Sequence, residues 1–257
     1  MDPEGERWLA ALGLAGTPVT EAIPDLVLVV TDRWGQQRRA LACQRLPAVR
    51  ESPLPGLYVC SDPGSGARVL LGGAFGASQA VEAVHVGGAL GTPAAILVGG
   101  CAALQPGIDV GDVVVPQSAT IGEGVSQYYG GHGTADADPD LLERAVTAVA
   151  AAGRTARRGR VVTSAASLTH SDRLVESWAG GGHLALDLET SAMYAVATYF
   201  GMRAVALLSV DAAPLAAGGD WLDLPRPRRA LSAAALGTLV DIAIAVGSGA
   251  DRDAAPP

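Results

Sequence analysis

The chain contains no lysine and no asparagine, so its permanent positive charge rests on 18 arginines among 257 residues. Any anion held by side-chain charge must therefore sit against an arginine fork, and Schiff-base chemistry through lysine is excluded. Cysteine is scarce too. Cys43, Cys60 and Cys101 are an odd, scattered set without CxxC spacing, which reads as small buried hydrophobes in a reducing compartment. His85, His132, His170 and His183 show no ligand spacing with cysteine or with one another, so no metal is expected. No apolar run reaches roughly eighteen residues, which excludes a transmembrane helix. The opening MDPEGER is acidic and lacks the apolar stretch of a secretory signal, so a cytoplasmic location off the membrane is expected. Positive charge is also in deficit. A net charge of −8 and a pI near 4.9 have the wrong sign for a nucleic-acid binder.

What is present points to a folded enzyme-sized unit. Hydrophobic residues make up 49% of the chain and charged ones 17%, a balance that excludes a disordered chain. The length fits one core, so a single domain over 1–257 is expected, with its core at about 22–247 and a frayed tail over 248–257. Strand-like and helix-like pieces alternate. Leu26 to Thr31, Arg68 to Leu71, Ala95 to Val98, Val113 to Pro116, Arg160 to Thr163 and Ala204 to Val210 read as strands. Gln79 to Gly88, Asp138 to Ala152, Leu186 to Phe200 and Arg226 to Val246 read as helices, and Gly72 to Ser78 as a glycine-rich turn. This order predicts a layered α/β fold with a mixed, mostly parallel central sheet flanked by helices. Ligands in such sheets bind at the carboxyl ends of the strands. That rule directs attention to Thr31–Arg33, Gly72-Gly73, Gly99-Gly100 and Ser209–Ala212.

Several stretches, in order, resemble the nucleoside phosphorylase family of uridine phosphorylases, purine nucleoside phosphorylases and methylthioadenosine-type nucleosidases. They are LVLVVTD (26–32), LGGAFGASQAVEAV (71–84), AILVGGCAALQPGIDVGDVVVP (95–116), EGVSQYY (123–129), DPDLLERAV (138–146), GRVVTSA (159–165) and ALDLETSAMYAVATYFGMRAVALLSVD (185–211). The uridine-phosphorylase branch is the nearest fit, notably at EGVSQYY. The resemblance implies the three-layer phosphorylase-like fold and cleavage of the bond between a sugar and a base, with no cofactor and with phosphate as a possible co-substrate. It also implies at least a homodimer, or a homohexamer, with sites that borrow residues across the interface.

Cleaving a nucleoside through an oxocarbenium-like sugar calls for a carboxylate at the sugar, an acid or donor at the base and a bound nucleophile. By resemblance, Glu189 in Asp187-Leu188-Glu189 accepts the ribose hydroxyls and Leu188 packs on the sugar; taken alone, both acids also suit a helix N-terminus. Asp211 stands one residue before the position of the purine-branch acid, so it faces the site only if the chain bulges or has left the strand. The phosphate site departs from the family. Gly35, Leu97 and Gly100 stand where two arginines and a hydroxyl are expected, leaving Arg33, Arg50 (across an interface) and the backbone of Gly73, Gly99 and Gly100 to hold an anion, so phosphate binding is expected to be weakened or lost. Asp32 is either a base for water, as in the nucleosidases, or the cap of a turn. On the base side, Arg173 matches a family arginine. Ser164 lies in the strand leading to that loop, and His170 is either a donor to a base carbonyl or a solvated loop residue. Tyr128 and Tyr129 either line the substrate or pack. Three readings stay open: glycosidic cleavage by phosphate or water, other chemistry on a nucleoside-like ligand, and non-catalytic nucleoside binding.

Overall fold

The computed structural model describes residues 3–17, 22–31, 42–215 and 226–248. Helix α1 (Pro3–Ala11) leads into strand β1 (Leu26–Thr31), all six residues of which are buried. A strand covered on both faces cannot alternate polar and apolar residues, which is why LVLVVT reads as an unbroken aliphatic run. Strands β2 (Ala48–Glu51), β3 (Leu57–Ser61) and β4 (Arg68–Ala74) follow, and then helix α2 (Ala77–Leu90). Gly91 ends α2 in the left-handed region at φ 87°, returning its N–H to the carbonyls of Gly87 and Gly88. Next come β5 (Ala94–Ala103), β6 (Val113–Gly122), β7 (Thr134–Asp136) and α3 (Pro139–Ala151). The expected cap of α3 forms: Asp138 accepts the N–H of Leu141 at 2.9 Å, and Pro139 fills the first turn, where no N–H is missed. The chain continues through β8 (Ala156–Ser164), α4 (Asp172–Gly180), β9 (Ala185–Asp187), α5 (Thr190–Tyr199), β10 (Arg203–Ala212) and α6 (Arg226–Ser248).

All ten strands join one mixed sheet. Its centre, β4-β1-β5-β10, is parallel throughout, so the carboxyl ends of these strands share one edge. β3 and β2 extend it antiparallel beyond β4. On the other side the sheet curls into a ring, because β10 pairs with β6, β6 with β8, β8 with β9, and β9 returns to the end of β5. Side chains of the central strands alternate between two helical layers. Val27, Val29, Leu97, Ala206 and Leu208 pack on the side of α2 and α5, whereas Leu28, Ile96, Val98, Val205 and Leu207 face α3 and α6. Each fully buried Leu, Val or Ile stabilises this arrangement by about 1.5–3 kcal/mol relative to exposure.

Several boundaries differ from the sequence expectation, for identifiable reasons. The glycine pairs expected in turns lie inside strands, with Gly72-Gly73 in β4 and Gly99-Gly100 in β5. They permit close packing instead: a Cβ on Gly72 would come within 2.6 Å of the Ala83 Cβ on α2. The helix expected from Leu186 begins only at Thr190, since residues 185–187 pair with β5 and β8. Helices α1 and α4 and strands β2, β3, β7 and β9 were not anticipated. The expected closing helix is present, and the tail beyond Ser248 lies outside the described residues. Among those residues no helix is long and apolar enough to cross a membrane, and no group of three or more His, Cys, Asp or Glu could hold a metal ion.

Candidate active site at the start of helix α5

Glu189 is the residue on which the site converges. The residue is 3% exposed, and its carboxylate lies at the carboxyl edge of the sheet, where Oε1 accepts the N–H of Gly76, the residue that opens α2, at 2.7 Å. A buried carboxylate at a helix N-terminus gains from both the N–H donor and the helix dipole. Glu189 does not cap its own helix; Asp187 does that. Asp187 Oδ2 accepts the N–H of Glu189 at 3.1 Å and the N–H of Thr190 at 2.7 Å, together with the Thr190 hydroxyl at 2.5 Å. Its Oδ1 accepts the hydroxyl of Thr163, from β8, at 2.6 Å. Burial nevertheless pushes the Asp187 carboxyl above the ordinary carboxylate range, against the pull of these donors. Asp187 thus shapes the backbone that presents Glu189, and Leu188 between them is partly exposed.

A second buried carboxylate, unanticipated as a site residue, belongs to the EGVSQYY stretch. Glu123 is 7% exposed. Its Oε2 accepts the N–H groups of Val125 and Ser126, and its Oε1 accepts the hydroxyls of Ser126 and, at 3.0 Å, Ser191 of α5. These bonds hold the short 3-10 turn Ser126–Tyr129 against α5. From this turn Tyr129 points inward: its hydroxyl lies 3.0 Å from His85 Nδ1 on α2, and its ring meets that of Tyr199 edge-on at 5.5 Å. Burial and the neighbouring Tyr199 raise the Tyr129 pKa. Tyr128 is 88% exposed, so the structure brings Tyr129 into the protein and leaves Tyr128 outside it.

Ser164 ends β8, buried, with its hydroxyl 2.8 Å from His170 Nε2. The His170 ring packs edge-on against Trp178 of α4 at 5.2 Å, so it is a held residue rather than a solvated one. Arg173, in the first turn of α4, is exposed. Asp211 occupies a bulge. The register of β10 against β5 shifts between Val210 and Ala212, and Asp211 is the extra, partly exposed residue between two buried ones. Such an insertion breaks the two-residue alternation that would otherwise fix the face of a side chain.

The residues expected to hold an anion are placed as follows. Gly73 donates its N–H to the Gly56 carbonyl at 3.2 Å, and Gly99 and Gly100 pair with Leu208 and Ser209 of β10. All three glycines thus lie in strands of the sheet rather than in an open loop. Gly99 is also crowded, since a Cβ there would lie 2.6 Å from Thr31 Oγ1. Leu97 is fully buried in the core. Asp32 and Arg33 lie outside the described residues, as does the side chain of Arg50, whose backbone lies in β2 opposite Val59. An open depression of about 520 Å³ lined by Arg45, Asp62, Ser65 and Asp241 borders the β3–β4 turn at the opposite, amino edge of the sheet and has no part in this constellation.

Comparison with known proteins bears on the family and the fold. The Phosphorylase superfamily profile matches residues 57–245. A guanosine phosphorylase of Halorubrum lacusprofundi is 32% identical over 138 residues, covering 53% of this chain and 57% of the relative. A DeoD-type purine nucleoside phosphorylase of Geobacillus kaustophilus is 34% identical over 124 residues, covering 47% and 52%. The chain therefore spans about half the length of the curated relatives it matches. A crystal structure of uridine phosphorylase from Vibrio fischeri ES114 superposes with a TM-score of 0.74 at 20% identity, covering 91% of this chain and 93% of that one, which establishes the shared fold. Sequence profile and architecture agree: the chain belongs to the phosphorylase superfamily.

Proposed function

We propose that the protein cleaves the N-glycosidic bond of a nucleoside or nucleoside-like metabolite, with Glu189 as the sugar ligand. The supporting observation is the buried Glu189 carboxylate at the carboxyl edge of the sheet, anchored on the Gly76 N–H. A carboxylate has about four lone-pair sites, so it can accept hydroxyls as well as amides. As the bond from C1′ to the base nitrogen breaks, positive charge grows on the sugar, and a fixed carboxylate in a water-poor site stabilises it. The nucleophile's oxygen bonds to C1′, and the electron pair of the broken bond leaves with the base. The bulged Asp211 is the proposed donor to a leaving purine, with Ser164 and His170 beside the base and Leu188 against the sugar.

Phosphate is the proposed nucleophile, in keeping with the names of the relatives, and Arg33 and a partner-donated Arg50 are its proposed forks. This makes a homodimer the working unit, in the cytoplasm. Hydrolysis is a second reading, favoured by one observation: Leu97 is buried apolar core where an arginine fork would be needed. In that reading Asp32 activates water. The test is release of free base from a panel of purine and pyrimidine ribo- and deoxyribonucleosides, with and without phosphate. Phosphate-dependent release supports the first reading and phosphate-independent release the second. No release from any member, with saturable binding retained, overturns both in favour of a binding protein. Consumption of a nucleoside with no free base formed would indicate other chemistry.

A further inference from the structure

Glu123 has no place in the chemistry above, yet it is a buried carboxylate with four donors and lies between two parts of the site. One of its oxygens gathers the N–H groups of Val125 and Ser126; the other gathers the hydroxyls of Ser126 and Ser191. Ser191 is two residues beyond Glu189 in the first turn of α5, and its N–H donates to Thr163 Oγ1 at 2.9 Å, which in turn donates to Asp187. The start of α5 is thus gripped from both sides, by Asp187 before Glu189 and by Glu123 after it. The turn that Glu123 organises is also packed tightly on the helix. At Gly131, whose N–H closes the turn on the Ser126 carbonyl at 2.9 Å, a Cβ would lie 3.0 Å from Ser126 Cβ and 3.1 Å from Ala195 Cβ.

We infer that Glu123 is a positioning residue, tying the 123–129 turn that carries Tyr129 to the helix start that aims the Glu189 carboxylate. It touches no substrate; it acts through Ser191. The inference rests on the reading of Glu189 as the sugar ligand. Losing the tie frees the helix start to shift, and an error of about 1 Å in a catalytic group costs on the order of 100-fold in rate.

The test compares kcat and KM for the best nucleoside substrate in the wild type, Ser191→Ala, Glu123→Ala and Glu189→Gln, with each of the first two substitutions also placed in the Glu189→Gln background. Ser191→Ala removes only the tie and leaves the turn's own bonds intact, so it remains informative if Glu123→Ala fails to fold. The expected result is a fall of about 10- to 100-fold in kcat/KM for Ser191→Ala, mostly in kcat, with thermal melting little changed, and no further fall when it is added to Glu189→Gln. Wild-type kinetics in Ser191→Ala, or a loss that multiplies with that of Glu189→Gln, overturns the positioning role alone. Undiminished activity of Glu189→Gln overturns the sugar-ligand reading and this inference with it.

Discussion

The Glu189 carboxylate accepts the backbone N–H of Gly76, 113 residues earlier in the chain, at 2.7 Å. One bond thereby joins the starts of α5 and α2, which pack on the same face of the sheet, at the edge where the parallel strands end. Replacing Glu189 by Gln keeps an oxygen for Gly76 but removes the charge that would meet the developing oxocarbenium. Glycosidic cleavage is expected to fall by at least about 100-fold while the melting temperature stays close to wild type, measured by base release and by thermal denaturation.

Asp187 predicts a pH effect on stability. Burial raises its carboxyl pKa above the ordinary value, with Thr163, Thr190 and the Glu189 N–H as its partners and Tyr194 among the groups that sense its charge. A raised folded-state pKa means the native state binds the proton more tightly than the unfolded chain does. This contribution is therefore fully present below the unfolded carboxylate pKa, about 3.9, and is lost as pH rises through the raised value. In Asp187→Asn the group no longer titrates, so the stability of the variant relative to wild type should improve as pH increases from about 4. Chemical denaturation across pH checks this; a gap that widens with pH contradicts it.

Much of the fold was legible in the sequence because burial on two faces leaves an unmistakable aliphatic run, as in β1 and β10, and because Asp138-Pro139 is a local capping signal. The ring of strands was not. It depends on β9, three residues long, pairing with both β5 and β8, and such long-range pairing has no local signature. In the site, Glu189 was singled out only through the resemblance to the phosphorylase family, and the condition of a bulge at Asp211 through its one-residue offset from that family's acid. Glu123 could not be singled out, since a glutamate in a turn is ordinarily solvated; three of its four donors are local, and its burial and the Ser191 hydroxyl come only with the tertiary fold. The glycine pairs were misplaced into turns because glycine marks close packing and turns alike.

Gly99 offers a direct test of the packing reading. An added Cβ would lie 2.6 Å from Thr31 Oγ1 and 3.3 Å from Leu208 Cδ2. Gly99→Ala should destabilise the protein by about 1–3 kcal/mol, and Thr31→Ala in the same chain should recover part of that loss. Denaturant unfolding of the single and double variants measures both.

The cysteines should separate by reactivity. Burial, with Cys43 nearby, pushes the Cys60 thiol up to about 12, and Cys101 is buried as well, whereas Cys43 is partly exposed. Because the thiolate is the reactive form, a disulfide reagent at neutral to mildly alkaline pH should modify Cys43 in the native protein and reach Cys60 and Cys101 only on unfolding. Mass mapping of the modified sites decides this.

The most direct test of the assignment of Glu189 is free base released from nucleosides in the presence of phosphate by the wild type and by Glu189→Gln, followed by chromatography. Base released by the wild type and lost in the variant, with folding intact, is the predicted result. Equal release by both proteins, or none by either, would contradict it.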